Sequence, residues 1–394
     1  MKKILACMAA VAVLAACTND DHYSWDNNFR DLTDSDTLRI AIAYSGTTVT
    51  VTGDSYGYVS ADGAHVTVKS ASNRFVELSL SGSTDDGSLL IFSWKKLGIV
   101  LNGVSITNPQ GAAINNQCGK SFYVSTARGT VNNLSDGASY AVKLGLTGDT
   151  IDQKATLFSE GQIYFRGEGT LNVSGAAKNG IASDDYVVIE SGEMNVSVAA
   201  TGSNGIKVND GFTVSGGTLT IDVKADGARG VKNDSYTTIK GGTTTITTSG
   251  DCLIETTDGV SDTTSCAGIK CDSLFTMESG SLTITSKGDG GKGINCAQNV
   301  EMKGGTLLVT TTGSNHVGKP KAVKSDTGIV LSGGSFTAKA EYTYQSSKGK
   351  TKYIWACDNG KDIDEDEDEV EDCVTIVGTP TKKEIVKNSV VVIF

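Results

Sequence analysis

The segments Gly192-Glu193-Met194-Asn195-Val196-Ser197-Val198 and Gly217-Thr218-Leu219-Thr220-Ile221-Asp222-Val223 share one pattern, a glycine followed by alternating polar and apolar residues. This first anchor recurs with spacings of 23, 25, 25, 38, 25 and 29 residues, at Gly169, Gly192, Gly217, Gly242, Gly280, Gly305 and Gly334. A second anchor, a small residue before a β-branched one, recurs with spacings of 25, 25, 38, 25 and 29 residues, at Gly180-Ile181, Gly205-Ile206, Gly230-Val231, Gly268-Ile269, Gly293-Ile294 and Ala322-Val323. Because both anchors absorb the same insertions, they belong to one repeating unit.

Each unit contains three short strands with apolar residues at alternate positions. A hairpin or meander has no reason to repeat at this interval, whereas one turn of a parallel β-helix uses a fixed length of chain and stacks each strand on its equivalent. The repeat therefore predicts an all-β fold, a parallel β-helix with coils of about 25 residues. Alternate apolar side chains point inward, and caps are needed at both ends, where the coil leaves unpaired strand edges.

The chain divides into five predicted segments. They are a signal peptide at residues 1–16, a tether at 17–35, an N-terminal β cap with the first strands at 36–87, the parallel β-helix at 88–340, and a C-terminal cap with an acidic loop at 341–394.

The N-terminus has the composition of an export signal. Lys2 and Lys3 precede an apolar run at residues 4–16, which is too short to span a bilayer. The sequence Leu14-Ala15-Ala16-Cys17 resembles the lipobox of bacterial lipoproteins, and the acidic pair Asp20-Asp21 resembles the surface-export signal of lipoproteins in the Bacteroidetes. These features predict lipidation of Cys17 and an outer-membrane lipoprotein at the cell surface, attached to the membrane through the lipid alone. An ordinary secretory signal that contains Cys17 is the alternative.

The net charge of −11 is concentrated near the C-terminus. Residues 358–372 hold ten acidic residues and one lysine, a net of −9. Basic patches with interleaved aromatic residues are absent from the sequence, which argues against nucleic acid as a partner. The three histidines do not cluster and no Cys-x-x-Cys pair occurs, which argues against a zinc site.

Six cysteines suggest disulfide pairs in an exported protein. Cys252 and Cys266 flank the insertion in the 38-residue unit, and Cys357 and Cys373 flank the acidic run. The third pair, Cys271 and Cys296, occupies one repeat position in successive units, so these residues could form a bridge or remain buried apolar neighbours.

Several motifs together resemble the bacterial carbohydrate-binding-domain family over about residues 47–340. They are Leu101-Asn102-Gly103-Val104-Ser105-Ile106-Thr107-Asn108, Gly111-Ala112-Ala113-Ile114, Gly129-Thr130 and units such as Asn179-Gly180-Ile181-Ala182-Ser183-Asp184. The resemblance implies a right-handed, pectate-lyase-like parallel β-helix that binds plant-type polysaccharides non-catalytically, with calcium held by acidic residues in the bends. Where that family commonly has Asp before the second anchor, this chain has Asn179, Asn204, Arg229, Ala267 and Lys292.

Two columns of polar residues follow the second anchor. Three positions after its apolar residue lie Asp184, Asp234, Asp272 and Asp326, which could bind calcium or sugar hydroxyls or could satisfy backbone amides in the bends. One position after it lie Lys207, Lys232, Lys270 and Lys324, with Arg229 and Lys292 beside them. These six cations could bind the carboxylates of acidic glycans, or they could form a solvated outer face.

In the acidic run at residues 362–369, Asp alternates with other residues, a pattern that suggests calcium binding. The run lacks the glycine that an EF-hand loop requires, so a solvated loop is the alternative. Tyr186, Tyr236, Tyr342 and Tyr344 could stack on sugars.

A lyase needs a base, a cation and a carboxylate close together, and no spacing in the sequence predicts such a cluster. A hydrolase needs two carboxylates at a set distance, and no spacing specifies that pair. We therefore predict a surface lipoprotein that binds polysaccharide without cleaving it, with calcium as a possible cofactor. Two alternatives remain open, a polysaccharide lyase or hydrolase on the same fold and an adhesive or scaffolding surface protein.

Overall fold

A computed structural model describes residues 37–257, 259–264, 266–360 and 373–394. The predicted signal peptide, Cys17, the tether and the acidic run at residues 362–369 lie outside the described residues. Those described contain 39 β-strands and no helix. Accordingly, no helix within the described ranges is long and apolar enough to cross a bilayer.

The N-terminal strands are β1 (Thr37–Ser45), β2 (Thr48–Thr52), β3 (Val59–Asp62), β4 (Ala64–Ser70), β5 (Phe75–Thr84), β6 (Gly87–Ser93), β7 (Leu97–Asn108), β8 (Ile114–Asn116), β9 (Phe122–Thr126) and β10 (Val131–Asp136). The next strands are β11 (Ala155–Ser159), β12 (Ile163–Gly167), β13 (Thr170–Gly175), β14 (Asn179–Ser183), β15 (Tyr186–Ile189), β16 (Glu193–Val198), β17 (Ile206–Val208), β18 (Gly211–Val214), β19 (Thr218–Val223), β20 (Arg229–Asn233), β21 (Tyr236–Ile239) and β22 (Thr243–Thr248).

The C-terminal half of the coil contains β23 (Leu253–Thr257), β24 (Val260–Thr264), β25 (Ala267–Cys271), β26 (Phe275–Met277), β27 (Ser281–Ser286), β28 (Lys292–Cys296), β29 (Val300–Met302), β30 (Thr306–Thr311), β31 (Lys321–Ser325), β32 (Ile329–Leu331) and β33 (Ser335–Ala340). The last strands are β34 (Thr343–Gln345), β35 (Thr351–Tyr353), β36 (Cys357–Asp358), β37 (Thr375–Ile376), β38 (Lys382–Val386) and β39 (Ser389–Ile393).

Three strands make one coil, as in β14, β15 and β16. Strands equivalent to β14 form a 12-stranded sheet, and the other two types form a 23-stranded sheet that covers the remaining two sides. Each strand pairs in parallel with its equivalent one coil later, so that Ile181 aligns with Ile206 and Val196 with Ile221. The solenoid has about 11 turns with coils about 25 residues apart, which confirms the predicted parallel β-helix.

Parallel stacking begins before residue 88. β1 pairs with β5, β5 with β7 and β4 with β6, all in parallel. Antiparallel pairing of β2 with β1 and of β3 with β4 covers the first coil. The first strands of the solenoid therefore lie within residues 36–87, and β2 and β3 form the N-terminal cap.

Antiparallel strands also close the C-terminal end. β39 pairs with β33 and β38 pairs with β39. These pairings satisfy the backbone groups that the last coil would otherwise expose as a free edge. The insertion in the 38-residue unit forms the separate hairpin β23–β24 between Cys252 and Cys266.

Apolar ladders fill the interior. Their members align coil by coil and are almost completely buried, as in Val173, Val196, Ile221, Ile246, Ile284, Val309 and Ala338. Burying one such side chain contributes roughly 1.5–3 kcal/mol. The ladders make the core one continuous column, so each coil depends on its neighbours.

The small residue of the second anchor is required by close packing. A Cβ atom at Gly230 would lie 2.4 Å from Ile246 Cγ2 and 2.5 Å from the carbonyl oxygen of Gly268. The first anchor has a different cause, because Gly217 has a φ of 75°, a conformation that side chains other than glycine rarely adopt.

Three cysteine pairs are brought together, with all six residues buried. The Sγ atoms of Cys252 and Cys266 are 3.4 Å apart, and those of Cys271 and Cys296 are 2.9 Å apart. A hydrogen bond with Cys373 raises the pKa of Cys357 well above its ordinary value. Disulfide bonding of the three pairs remains a prediction.

We expect Gly230→Ala to destabilise the solenoid, because the added methyl group meets backbone that can shift only with the adjacent coil. The expected loss in free energy of unfolding is about 1–3 kcal/mol. Thermal unfolding followed by circular dichroism measures it. Gly119→Ala is the control, since a Cβ atom there meets nothing within 4 Å. Equal melting temperatures for the two variants would contradict the packing explanation.

If the protein is exported as the N-terminal sequence predicts, we expect it to contain three disulfide bonds, because secretory compartments oxidise adjacent thiols. Peptide mapping without reduction should recover the cross-linked pairs Cys252–Cys266, Cys271–Cys296 and Cys357–Cys373, with Cys118 alkylated as a thiol. Alkylation of all six paired cysteines in the unreduced, denatured protein would show that the bonds do not form.

Candidate functional site

Each coil presents three outward faces. We name them the lysine face, formed by β14 and its equivalents, the tyrosine face, formed by β15 and its equivalents, and the asparagine face, formed by β16 and its equivalents. Side chains alternate inward and outward along every strand, so outward residues align into columns. Candidate binding groups therefore occur as columns along the solenoid axis.

The asparagine face contains a groove with a volume of about 300 Å³ across β10, β13, β16 and β19. Two outward columns line it. One contains Asn133, Asn172, Asn195 and Thr220, and the other contains Ser135, Ser174, Ser197 and Asp222. The groove is therefore a row of side-chain amides beside a row of hydroxyl groups.

The asparagines hydrogen-bond to one another across the strands. Asn172 Nδ2 donates to Asn133 Oδ1 over 2.9 Å, and Asn195 Nδ2 donates to Asn172 Oδ1 over 3.0 Å. A primary amide has two N–H donors and an oxygen with two lone pairs. Asn172 therefore retains one donor and one lone pair for a ligand, while the ladder fixes its orientation.

These asparagines are not among the site residues predicted from the sequence. Their position in the repeat could have identified them. Asn172 and Asn195 each lie three residues after a first-anchor glycine, at a strand position whose side chain points outward. A polar residue at an outward position is common, so this signal alone does not separate a binding column from a solvated face.

The predicted lysine column lies on the lysine face. Lys207, Lys232 and Lys270 align on adjacent strands. Three of its members are ion-paired with the aspartate two residues later, in the bend that follows the strand. Lys232 Nζ lies 3.2 Å from Asp234 Oδ1, Lys270 Nζ lies 2.7 Å from Asp272 Oδ1, and Lys324 pairs with Asp326.

These ion pairs change the electrostatics of the predicted cationic ridge. Each aspartate largely cancels the charge of its lysine, and the pairs are partly exposed to solvent, so each contributes only about 0–1 kcal/mol. Lys207 differs because residue 209 is asparagine, and within the described ranges Lys207 makes no ion pair.

Arg229 and Lys292 lie in a second column on this face, where Lys292 aligns with Ala267 and Lys321. Burial lowers the pKa of Lys292 below its ordinary value. Glycan binding by the six predicted cations remains a prediction.

The aspartate column was predicted either to bind calcium or to cap the bends. The residue before the aspartate performs the capping in three of the four bends. Ser183 Oγ accepts from the amide of Asp185, Asn233 Oδ1 from that of Ser235 and Ser325 Oγ from that of Thr327, over 2.8–3.2 Å. The aspartates themselves point outward and meet ammonium groups.

Asp184 belongs to the tightest carboxylate cluster on the lysine face. Its carboxylate oxygen lies within 4.8 Å of those of Asp152 and Glu160. Lys154 Nζ is 2.8 Å from Asp152 Oδ2 and 2.5 Å from Asp184 Oδ2. Three carboxylates suit calcium chemically, but this ammonium group already occupies the position between two of them. Calcium at the four predicted aspartates would have to displace a lysine at each, and it remains a prediction.

Glu160 is the titratable member of this cluster. Burial and, next in size, the charge of Asp184 raise its pKa to about 7. A half-buried carboxyl group beside another carboxylate binds a proton more readily than one in water.

Three further aspartates, in the bends before the lysine face, were not predicted from the sequence. Asp226 Oδ1 accepts from the amide of Asp251 over 2.9 Å, Asp251 Oδ1 from that of Asp289 over 2.7 Å, and Asp289 Oδ1 from that of Ser314 over 2.8 Å. Their spacings of 25, 38 and 25 residues equal those of the anchors, and this periodicity could have identified them. They link successive bends.

The protein belongs to the family of carbohydrate-binding domain-containing proteins, whose family model matches residues 62–315. A carbohydrate-binding domain-containing protein of Acetivibrio thermocellus is similar to it, with 31% identity over 116 residues. That alignment covers 28% of this chain and 39% of the relative, so the chain matches less than half of the relative's length.

The polysaccharide lyase-like protein from C. thermocellum, solved as a gadolinium derivative, has a similar fold. The TM-score is 0.55 at 24% identity, over 69% of this chain and 100% of that one. This likeness supports the β-solenoid architecture.

The stability of the protein should fall between pH 5 and pH 8 through Glu160. The folded state binds this proton more tightly than the unfolded chain, in which a glutamate has a pKa of about 4.3. The stabilising contribution is fully present below that value and is lost as the pH rises through about 7. The melting temperature of the wild type, relative to that of Glu160→Gln, should therefore be lower at pH 8 than at pH 5. The exposed Glu168→Gln serves as the control, and parallel pH profiles for Glu160→Gln and the wild type would contradict the assignment.

Proposed function

We propose that this protein binds polysaccharide without cleaving it and that the glycan lies in the groove of the asparagine face. The observation that carries the proposal is the groove itself, with in-register columns of amides and hydroxyl groups on three successive strands, which Thr220 and Asp222 continue on a fourth. Membership of a carbohydrate-binding domain family supports the ligand class.

The geometry suits an extended chain of sugars. Successive residues of one column are separated by the strand spacing of about 4.8 Å, which is comparable to the length of one pyranose ring. Asn172 can donate to and accept from vicinal hydroxyl groups, whereas Asn195, whose two N–H groups bond Asn172 and Glu193, can accept through its oxygen. The amide ladder keeps these groups oriented before the ligand arrives. A pre-oriented site loses less side-chain entropy on binding.

The charge of the groove favours a neutral glycan. Among the described residues that line the groove, Asp222 is the charged one. A second carboxylate, that of Glu193, lies next to the groove and accepts from Asn195 Nδ2 over 3.3 Å. A uronic acid carboxylate would meet like charge there. Acidic glycans would instead use the lysine face, where Lys207, Arg229 and Lys292 support this alternative.

The proposal includes the predicted lipid anchor at Cys17 and a cell-surface location, both of which rest on the sequence of residues 1–21. A surface position would place the groove in contact with external polysaccharide.

Catalysis on the same fold is the competing function. Among the described residues, the carboxylates of Asp152, Glu160 and Asp184 form a cluster on the lysine face, away from the groove, and two of them, Asp152 and Asp184, are ion-paired with Lys154. Incubation with a bound glycan, followed by an assay for unsaturated or reducing ends, separates the two functions. New ends would contradict the non-catalytic proposal.

Asn172→Ala and Asn195→Ala should each weaken binding of a neutral β-glucan oligosaccharide about 2- to 10-fold, because each removes hydrogen bonds worth about 0.5–1.5 kcal/mol. Isothermal titration calorimetry measures the dissociation constants. Thr283→Ala, on the same face but outside the groove, is the matched control.

The double variant Lys207→Ala/Lys232→Ala should leave neutral binding unchanged. Loss of polygalacturonate binding in this variant, with unchanged binding in both asparagine variants, would place the glycan on the lysine face instead.

A further inference from the structure

The tyrosine face carries a strip of aromatic rings on the coils of the groove and on the coil that follows the groove, two strands after Tyr186. Its members are Tyr123, Tyr164, Tyr186 and Tyr236. The ring centroids of Tyr123 and Tyr164 are 5.1 Å apart and stacked, and those of Tyr164 and Tyr186 are 5.7 Å apart and edge-on. The hydroxyl groups of Tyr164 and Tyr186 are hydrogen-bonded. The strip is therefore a rigid, packed surface.

The ring of Tyr236 lies over a glycine. Tyr186, Gly211 and Tyr236 align in register on successive strands. A Cβ atom at Gly211 would lie 2.6 Å from Tyr236 Cζ and 2.8 Å from its hydroxyl oxygen. The phenol end of the ring thus rests on the backbone of β18, on the side facing Tyr186, and 44% of Tyr236 remains exposed.

Polar groups border the rings. The Arg166 guanidinium lies 5.9 Å from the centroid of Tyr123, and Arg166 Nε donates to Ser125 Oγ over 2.9 Å. The tyrosine hydroxyl groups add donors and acceptors along the strip. An aromatic surface with a polar border matches a ligand that alternates apolar and hydroxylated surfaces.

We infer that Tyr236, with Tyr186 beside it, is a stacking platform for a pyranose ring whose C–H groups form a flat apolar face. This inference rests on the proposed function and adds a contact surface separate from the groove. The tyrosine strand and the asparagine strand are consecutive in each coil, as in β15 and β16, so a branch of the glycan or a second chain can occupy the platform.

The dimensions of the platform favour a sugar over a protein. A tyrosine buries 150–250 Å² at most, whereas a stable protein interface needs about 800 Å² on each partner. Two partly exposed rings supply only a fraction of that area. They do match one or two sugar rings.

Two substitutions test the platform in different ways. Tyr236→Ala removes the ring, and Gly211→Ala keeps the ring but displaces it, because the new methyl group occupies its resting position. Each should weaken binding of cellohexaose or oligogalacturonate about 3- to 10-fold in calorimetry. Tyr236→Phe retains the ring and should bind within about 2-fold of the wild type. Tyr353→Ala, which removes a ring of similar exposure elsewhere, is the matched control.

A second readout reports stacking directly. Sugar C–H protons that lie over an aromatic ring shift upfield in the proton spectrum, and this shift should disappear in Tyr236→Ala and decrease in Gly211→Ala. Circular dichroism confirms that both variants are folded.

The platform would be contradicted if Tyr236→Ala and Gly211→Ala kept wild-type affinity and unchanged proton shifts. Weakened binding in Asn172→Ala would, in that case, still support the groove. If the wild type bound neither oligosaccharide, the proposed function would fail, and the platform with it.

Discussion

In-register stacking of successive coils is the constraint on which the structure depends. Every coil satisfies its backbone hydrogen bonds and buries its apolar residues only against its neighbours. This requirement explains the glycine at the second anchor, where Gly230 must let Ile246 and the next coil approach. It also explains why outward positions are aligned at one strand spacing, so that functional groups occur as columns.

The three faces convert this constraint into different chemistry. On the lysine face, ammonium and carboxylate columns run side by side and neutralise each other, as in Lys270 and Asp272. On the asparagine face, uncharged amides repeat and hydrogen-bond along the axis. Repetition of one residue type along a face thus gives two different surfaces. On the lysine face the repeated charges neutralise each other, and on the asparagine face the repeated amides keep hydrogen-bonding capacity for a ligand.

The sequence predicts much of the fold because strand periodicity and anchor spacing are properties of the chain itself. The pairing of Lys232 with Asp234 could have been predicted, since Asp234 follows the end of the strand and lies only two residues from Lys232 in the sequence. The groove was not, because its concavity depends on how four strands curve together. The position of Tyr236 over Gly211 depends on the direction of one ring, which no periodicity specifies.

The asparagine ladder gives the groove a direction. Asn195 donates to Asn172 and Asn172 donates to Asn133, so the amide dipoles all align along the solenoid axis. A polysaccharide is itself directional, with distinct reducing and non-reducing ends. The two ways of laying a glycan in the groove are therefore not energetically equivalent, and a bound chain acquires a polarity relative to the N- and C-terminal ends of the protein.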